Sequence, residues 1–266
     1  MFDETPTDAW RMRYGADAPE LPDLGRFLDH RSIRHFRPEP IPESTVAGLI
    51  AAAQSAATSS NLQLWSAVSV QNKERRAKIA HLCADQQHVR DAAWFFAFLI
   101  DHNRLRIAAR AVGEEARGLD YTEFFVMALI DAALAAERLV CAAESLGIGI
   151  CYIGALRNHP AEVTELLELP EGVFGAFGLC LGWPEQSLRE DVKPRLPQEA
   201  VWFRERYGAG LSLGDYDQRM DAHYAERGLK PGVNWSMRSG KRVDEGHLTG
   251  REVLMEWLQG RGFMRR

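Results

Sequence analysis

The chain has 266 residues, 46% hydrophobic and 26% charged, with a formal net charge of −5. That length can bury a substantial core, and the composition is that of an ordinary globular domain. The acidic balance excludes a nucleic-acid surface built on overall charge. Two local basic runs, residues 238–242 and 261–266, read as solvated tails or phosphate contacts. Cys83, Cys141, Cys151 and Cys180 show no C-x-x-C spacing, which leaves zinc and dithiol chemistry without a motif. Their apolar neighbours predict buried free thiols in a reducing compartment. The first residues are acidic and polar, unlike a secretory leader. The most apolar stretches, 94–100 and 125–136 (the second broken by Asp131), are shorter than the ~18 residues of a membrane span. The expectation is a soluble, cytoplasmic protein.

Residues 1–20 lack a clear period and read as an extension laid on the surface or on a partner. Leu21, Leu24, Phe27 and Leu28 share one helical face and predict a short helix running into His30. Three prolines then mark a loop, and Val46, Leu49, Ile50 and Ala53 predict a helix ending near Ser55. Residues 65–70 alternate as a strand, 73–83 form a helix, and the aromatic run 94–100 reads as a strand buried on both faces. A helix from about Arg104 precedes a long helical pattern over 121–146, apolar nearly all round between Phe125 and Ala136, which demands burial on most sides. Strand 150–153, helix 161–169, strand 173–181 and helices at 215–226 and near 248–258 complete the chain. Strands and helices interleaved around one apolar helix predict an α+β fold. The expected organisation is an N-terminal extension over 1–20 and one domain over 21–266, with 200–266 as a helical excursion.

Several familiar motifs fail. The glycines at 147, 149 and 154 follow a helix, where a dinucleotide fingerprint must follow a strand. No phosphate-binding P-loop, zinc-protease or nucleophile-elbow pattern is present. Five segments carry possible chemistry. His30-Arg31-Ser32-Ile33-Arg34 is a dense donor cluster suited to phosphate, or equally a helix C-terminus decorated with cations. The run Thr58-Ser59-Ser60-Asn61-Leu62-Gln63 offers hydroxyls and amides to a ligand, or is a loop of turn formers. Gln86-Gln87-His88 precedes a buried strand and alone says little. Gly154, after Tyr152-Ile153, lets backbone approach a planar ligand or simply turns the chain. Lys193-Pro194-Arg195 is a stiff pair of cations, a second phosphate clamp or an incidental tripeptide.

Taken in order, these segments resemble the NADPH-dependent, oxygen-insensitive nitroreductase and flavin reductase group of the nitroreductase superfamily. The resemblance is carried by His30-Arg-Ser-Ile-Arg-His-Phe, Ala143-Glu-Ser-Leu-Gly-Ile-Gly, Tyr152-Ile-Gly, Leu156-Arg-Asn, Phe177-Gly-Leu-Cys-Leu-Gly-Trp-Pro and Lys193-Pro-Arg-Leu-Pro, and covers roughly residues 24–266. It implies a nitroreductase-like α+β homodimer: a central mixed or antiparallel sheet flanked by helices, the 121–146 helix in the dimer core, and FMN at the subunit interface. It implies FMN contacts from His30, Arg31, Ser32 and Arg34, and from Thr58, Ser59, Gln63, Gln86 and His88 in the same pocket. Tyr152, Ile153, Gly154 and Ala155 would pass near the ring, and Lys193 and Arg195 would complete the phosphate contacts. Arg227, helped by Lys230, would grip the 2′-phosphate of NADPH.

The activity so implied is ping-pong hydride transfer from NADPH through FMN to nitroaromatics or quinones. No metal and no protein nucleophile or general acid is required. Two other readings use the same residues: a dedicated flavin reductase supplying reduced FMN, and a non-catalytic flavin-binding sensor or scaffold. The chain departs from the group in three places. Ala155 replaces a usual second glycine, Asn61 an often apolar residue, and 227–234 does not match the usual basic run.

Overall fold

The structure, a computed structural model, describes residues 4–188, 190–208, 210 and 212–266. Residues 1–3 of the expected N-terminal extension lie outside the described residues. Helices are α1 (Pro6–Tyr14), α2 (Glu43–Gln54), α3 (Lys73–Leu82), α4 (Gln87–Asp91), α5 (Asn103–Ala111), α6 (Thr122–Ser145), α7 (Pro160–Leu166), α8 (Gly214–Ala225), α9 (Trp235–Arg242) and α10 (Leu254–Gly260). Strands are β1 (Trp65–Ser69), β2 (Trp94–Asp101), β3 (Gly149–Ile153) and β4 (Val173–Gly182). The chain divides into two compact units: Ser32–Arg189 with Gly250–Arg266, and Met1–Arg31 with Glu190–Thr249.

The first unit is built on an antiparallel sheet in the order β1-β2-β4-β3. Alternation in β2 sends Phe95, Ala97 and Leu99 to one face and Phe96 and Phe98 to the other. The first set packs with Ile79, Val89 and Val163 of α3, α4 and α7. The second packs with Val46 and Leu49 of α2 and Ala135, Ala136 and Leu139 of α6. A strand covered by helices on both faces must be apolar throughout, and β2 is buried from Phe95 to Ile100. Each fully buried Phe or Leu contributes about 1.5–3 kcal/mol of transfer free energy.

Helix α6 is more one-sided than its composition foretells. Ala128, Asp131, Ala132, Ala135, Ala136, Leu139, Val140 and Ala143 recur every three or four residues and face inward. Alanines let the helix approach the sheet closely. The larger Val126, Leu129, Ile130 and Leu134 face out, 40–51% exposed. Among the described residues no helix is long and apolar enough to cross a membrane.

The second unit holds α1, α8 and α9. Residues 1–20 show no clear hydrophobic period, yet α1 has complete start and stop signals. Thr5 and Asp8 form a reciprocal capping box, Pro6 opens the first turn, and Gly15 (φ +69°) closes the helix. Its weak amphipathicity hid it, since only Ala9 and Arg13 are buried. Conversely, the helix expected over 21–29 is only a three-residue 3-10 turn, Phe27–Asp29. Pro22 and Gly25 (φ +54°) break the longer pattern, and Phe27 is 70% exposed. Helix α9 was not foreseen; Tyr216 of α8 meets Trp235 of α9 edge-on at 5.6 Å.

Candidate functional site

The His30–Arg34 segment is extended. With only a 3-10 turn before it, the alternative of cations gathered by a helix macrodipole has no helix to rest on. Ser32 forms a parallel bridge with Ile150 on the outer side of β3, and Ile33 N–H donates to Ile150 O at 2.8 Å. Ile33 then lies directly over Gly149: a Cβ there would fall 2.8 Å from Ile33 Cγ1. Gly149 therefore serves close packing against this segment, which explains a glycine that the dinucleotide motif does not. Glu185 N–H donates to His35 O at 2.9 Å and Arg37 N–H to Trp183 O at 2.8 Å, so the Trp183-Pro184 run holds the other end.

This placement puts Arg34 beside the next predicted segment. His88, in α4, is buried, and its Nε2 lies 3.8 Å from Cys151 Sγ on β3. Burial lowers the His88 pKa, and the charges of Arg34 and His35 lower it further, so the ring is neutral at physiological pH. Gln86 donates to Cys83 O at 2.7 Å and caps the preceding turn. Cys83, Cys151 and Cys180 are buried thiols, as expected, whereas Cys141, on α6, is only half-buried; burial pushes Cys83 up to about 12. Tyr152 donates its hydroxyl to Glu137 at 3.1 Å. After it, the Gly154 turn is held from the C-terminal segment: Arg251 donates to Gly154 O at 3.1 Å and to Asn158 Oδ1 at 2.9 Å.

Residues 58–64 form a strained loop. Ser60, Asn61 and Gln63 all have φ near +50°, a region that favours glycine. The loop is pinned from α6, where the buried Asp131 accepts from Ser59 N–H at 2.9 Å and Leu64 N–H at 3.1 Å. Thr58 and Gln63 line a groove of about 830 Å³ along α2 and β1, with Ile50, Trp65, Trp94 and Arg104. Ser32, Arg34 and Gly154 do not line that groove.

In the other unit, two segments far apart in sequence meet. Arg31 donates to Glu190 O at 3.0 Å, joining 29–31 to 190–195. The Arg31 guanidinium, expected to face a phosphate, is 4% exposed and bonded to Asp29 and to Glu4 at 2.6 Å. Burial pushes Asp29 up to about 6, with Glu4 adding to the rise against the pull of Arg31. Burial would also raise Glu4, but hydrogen bonds from Arg31 and Asp29 outweigh it and hold Glu4 at about 2. Arg195 is exposed and Lys193 half-buried. Arg227 is also exposed; it pairs with Asp191 at 2.7 Å and approaches His223 Nδ1 at 3.3 Å. Lys230 is exposed nearby in sequence.

Three structural residues escaped the sequence reasoning: Asp131, Arg251 and Arg13. Only Asp131 carried a signal, as a lone charge in an apolar helix.

Comparison with known proteins fits this geometry. The nitroreductase family model matches residues 28–183, and that of the nitroreductase family C-terminal domain matches 193–266. The oxygen-insensitive NADPH nitroreductase of Salmonella typhimurium is 36% identical, over 92% of this chain and 99% of its own. The NADPH-flavin oxidoreductase of Vibrio harveyi is 37% identical, over 90% and 97%. The solved structure of B. megaterium NfrA1 superposes with a TM-score of 0.83 at 36% identity, over 88% of this chain and 96% of that one. By family model, fold and residue pattern, this chain belongs to the nitroreductase family.

Proposed function

We propose that the chain is an FMN-dependent NADPH oxidoreductase reducing nitroaromatics or quinones, working as a cytoplasmic homodimer. The observation that carries this is the contact between Arg31 and Glu190 O, which gathers two cationic segments 159 positions apart. The relatives named above supply the redox class.

The donor set fits FMN. Among the described residues, Arg34 and Arg195 have no carboxylate partner, so their charges are available to a ligand whose phosphate carries nearly two negative charges. As the resemblance implies, His30, Lys193 and Arg195 would take the phosphate, and Ser32, Arg34 and His88 would supply donors for the flavin's polar edges. Arg31 would act by fixing the turn, since Asp29 and Glu4 engage its fork. Thr58, Ser59, Gln63 and Gln86 would complete the polar lining, and Tyr152, Ile153, Gly154 and Ala155 would flank the ring. Bound FMN supplies the two-electron redox chemistry.

The chain's own residues then do three things. Neutral His88 offers a hydrogen bond without adding charge. Arg195, with Lys193, would hold positive potential for the phosphate charge. Arg227 and Lys230 would grip the NADPH 2′-phosphate, for which Arg227 exchanges its Asp191 partner. The outward row Val126, Leu129, Ile130 and Leu134 on α6 would be covered by a second copy.

The test is NADPH oxidation by FMN-loaded protein with nitrofurazone or menadione present. Turnover that is parallel in successive double-reciprocal plots supports the reading; a loaded protein that does not oxidise NADPH refutes it. The name of the Vibrio harveyi relative favours a second reading, in which free flavin is the acceptor. Faster turnover with free FMN than with either other acceptor would select it.

A further inference from the structure

The family models begin at residue 28 and resume at 193, so α1 lies outside both. Yet one residue of α1 touches both segments to which the proposed function assigns cofactor contacts. Arg13 is a cation only 7% exposed, in the last turn of α1. Its Nε donates to Leu28 O at 2.8 Å and its Nη2 to His30 O at 3.1 Å. Its own carbonyl accepts from Arg195 N–H at 2.8 Å. One residue thus ties the backbone at His30 to the backbone at Arg195.

The rest of α1 is built to present it. The Thr5–Asp8 capping box sets where the helix starts. Gly15 sets where it stops: its φ of +69° is a left-handed conformation that favours glycine. Glu4, just before the helix, reaches Arg31. A cation is costly to bury unless its donors are satisfied. Arg13 satisfies two of them on carbonyls and, among the described residues, is within 4.0 Å of no carboxylate. Burial lowers its pKa, and the nearby charges of Arg195 and Arg31 lower it further. Asp29 and Tyr14 offset part of this, but a cation buried with two others nearby is a poor way to gain stability. It is a good way to fix the spacing of the backbones that carry them.

We infer that Arg13 is a positioning residue: it clamps the His30 and Arg195 segments at a fixed separation and so preorganises them for the FMN phosphate. This rests on the FMN reading. Without the clamp the Arg31–Glu190 contact still joins the two segments, but their separation at His30 and Arg195 is no longer fixed, and the ordering left to binding comes out of the affinity.

The test uses full-length apoprotein as wild type, Arg13→Ala and Arg13→Lys. Amide hydrogen exchange reads the clamp directly, and FMN affinity is read by fluorescence quenching. In Arg13→Ala, exchange should rise at 28–31 and 193–196 while the first unit's sheet stays protected. FMN affinity should fall at least tenfold, about 1.4 kcal/mol, with the KM for NADPH at saturating FMN within twofold of wild type. Arg13→Lys, which keeps the charge but lacks the fork, should fall between, and it serves if the alanine variant does not fold. Unchanged exchange in both segments overturns the inference. So does raised exchange with unaltered FMN affinity, which would make Arg13 merely structural. If the wild-type chain itself takes up no FMN, the cofactor reading fails and this inference with it; if wild type and variants bind FMN equally, the inference alone fails.

Discussion

Replacing Asp131 with alanine should loosen one loop and lower stability measurably. The carboxylate is 1% exposed and accepts Ser59 N–H at 2.9 Å and Leu64 N–H at 3.1 Å, at the two ends of a loop with three left-handed non-glycine residues. Hydrogen bonds to a charged group contribute about 1.5–3 kcal/mol each, so two lost bonds cost about 3–6 kcal/mol. Some returns as the loop relaxes, because each left-handed residue stores roughly 1 kcal/mol or more of strain. The net loss should be about 2–4 kcal/mol, or roughly 5–15 °C in Tm for a domain of this size. Asp131→Asn keeps one acceptor oxygen and should lose about half as much. Urea unfolding measures the loss, and amide exchange at 59–64 locates it. An alanine variant within about 0.5 kcal/mol of wild type, with the loop equally protected, would show that the carboxylate does not hold the loop.

Three further outcomes are expected. Glu4→Gln removes a charge and a hydrogen bond that raise Asp29, so the Asp29 pKa should fall below about 6 in a carboxyl NMR titration; an unmoved value contradicts the cluster. Burial lowers the pKa of His88, His102 and His223. The unfolded chain therefore binds protons first, and stability is lost as pH falls from about 6.5 through their folded values. Asp29 acts oppositely between 3.8 and about 6, because its folded pKa is raised. In an Asp29→Asn background Tm should drop between pH 7.5 and pH 5, and a flat profile refutes the neutral-histidine assignment. Arg227→Ala should raise KM for NADPH at least tenfold more than KM for NADH; equal effects would remove Arg227 from the 2′-phosphate.

Local pattern made the first unit readable. The apolar run 94–100 could only be a strand covered on both faces, and it is β2. The 65–70 alternation and the 73–83 helix appear as β1 and α3. What pattern could not show was direction and partnership. A helix apolar nearly all round does not reveal that its alanines face the sheet while its larger residues face out. Helix α1 was hidden because its stability comes from a capping box and one buried arginine, with almost no apolar face to give a period.

The same holds at the candidate site. Donor-rich segments could be named from composition, but the backbone contact that joins Arg31 to Glu190 could not. Arg31 illustrates the limit. Its type suits a phosphate, but the acids that engage it lie two residues and 27 residues before it, and nothing in their spacing announces the contact. Arg13 acts through backbone carbonyls, and Arg251 through one carbonyl and the distant Asn158 side chain, contacts that leave no mark in the sequence.

The most direct measurement compares FMN with riboflavin by titration calorimetry on the purified apoprotein. If Lys193 and Arg195 grip the phosphate, FMN should bind at least a hundredfold more tightly, and Arg195→Ala should erase most of that margin. Equal affinity for the two ligands, or no heat with either, would contradict the cofactor assignment.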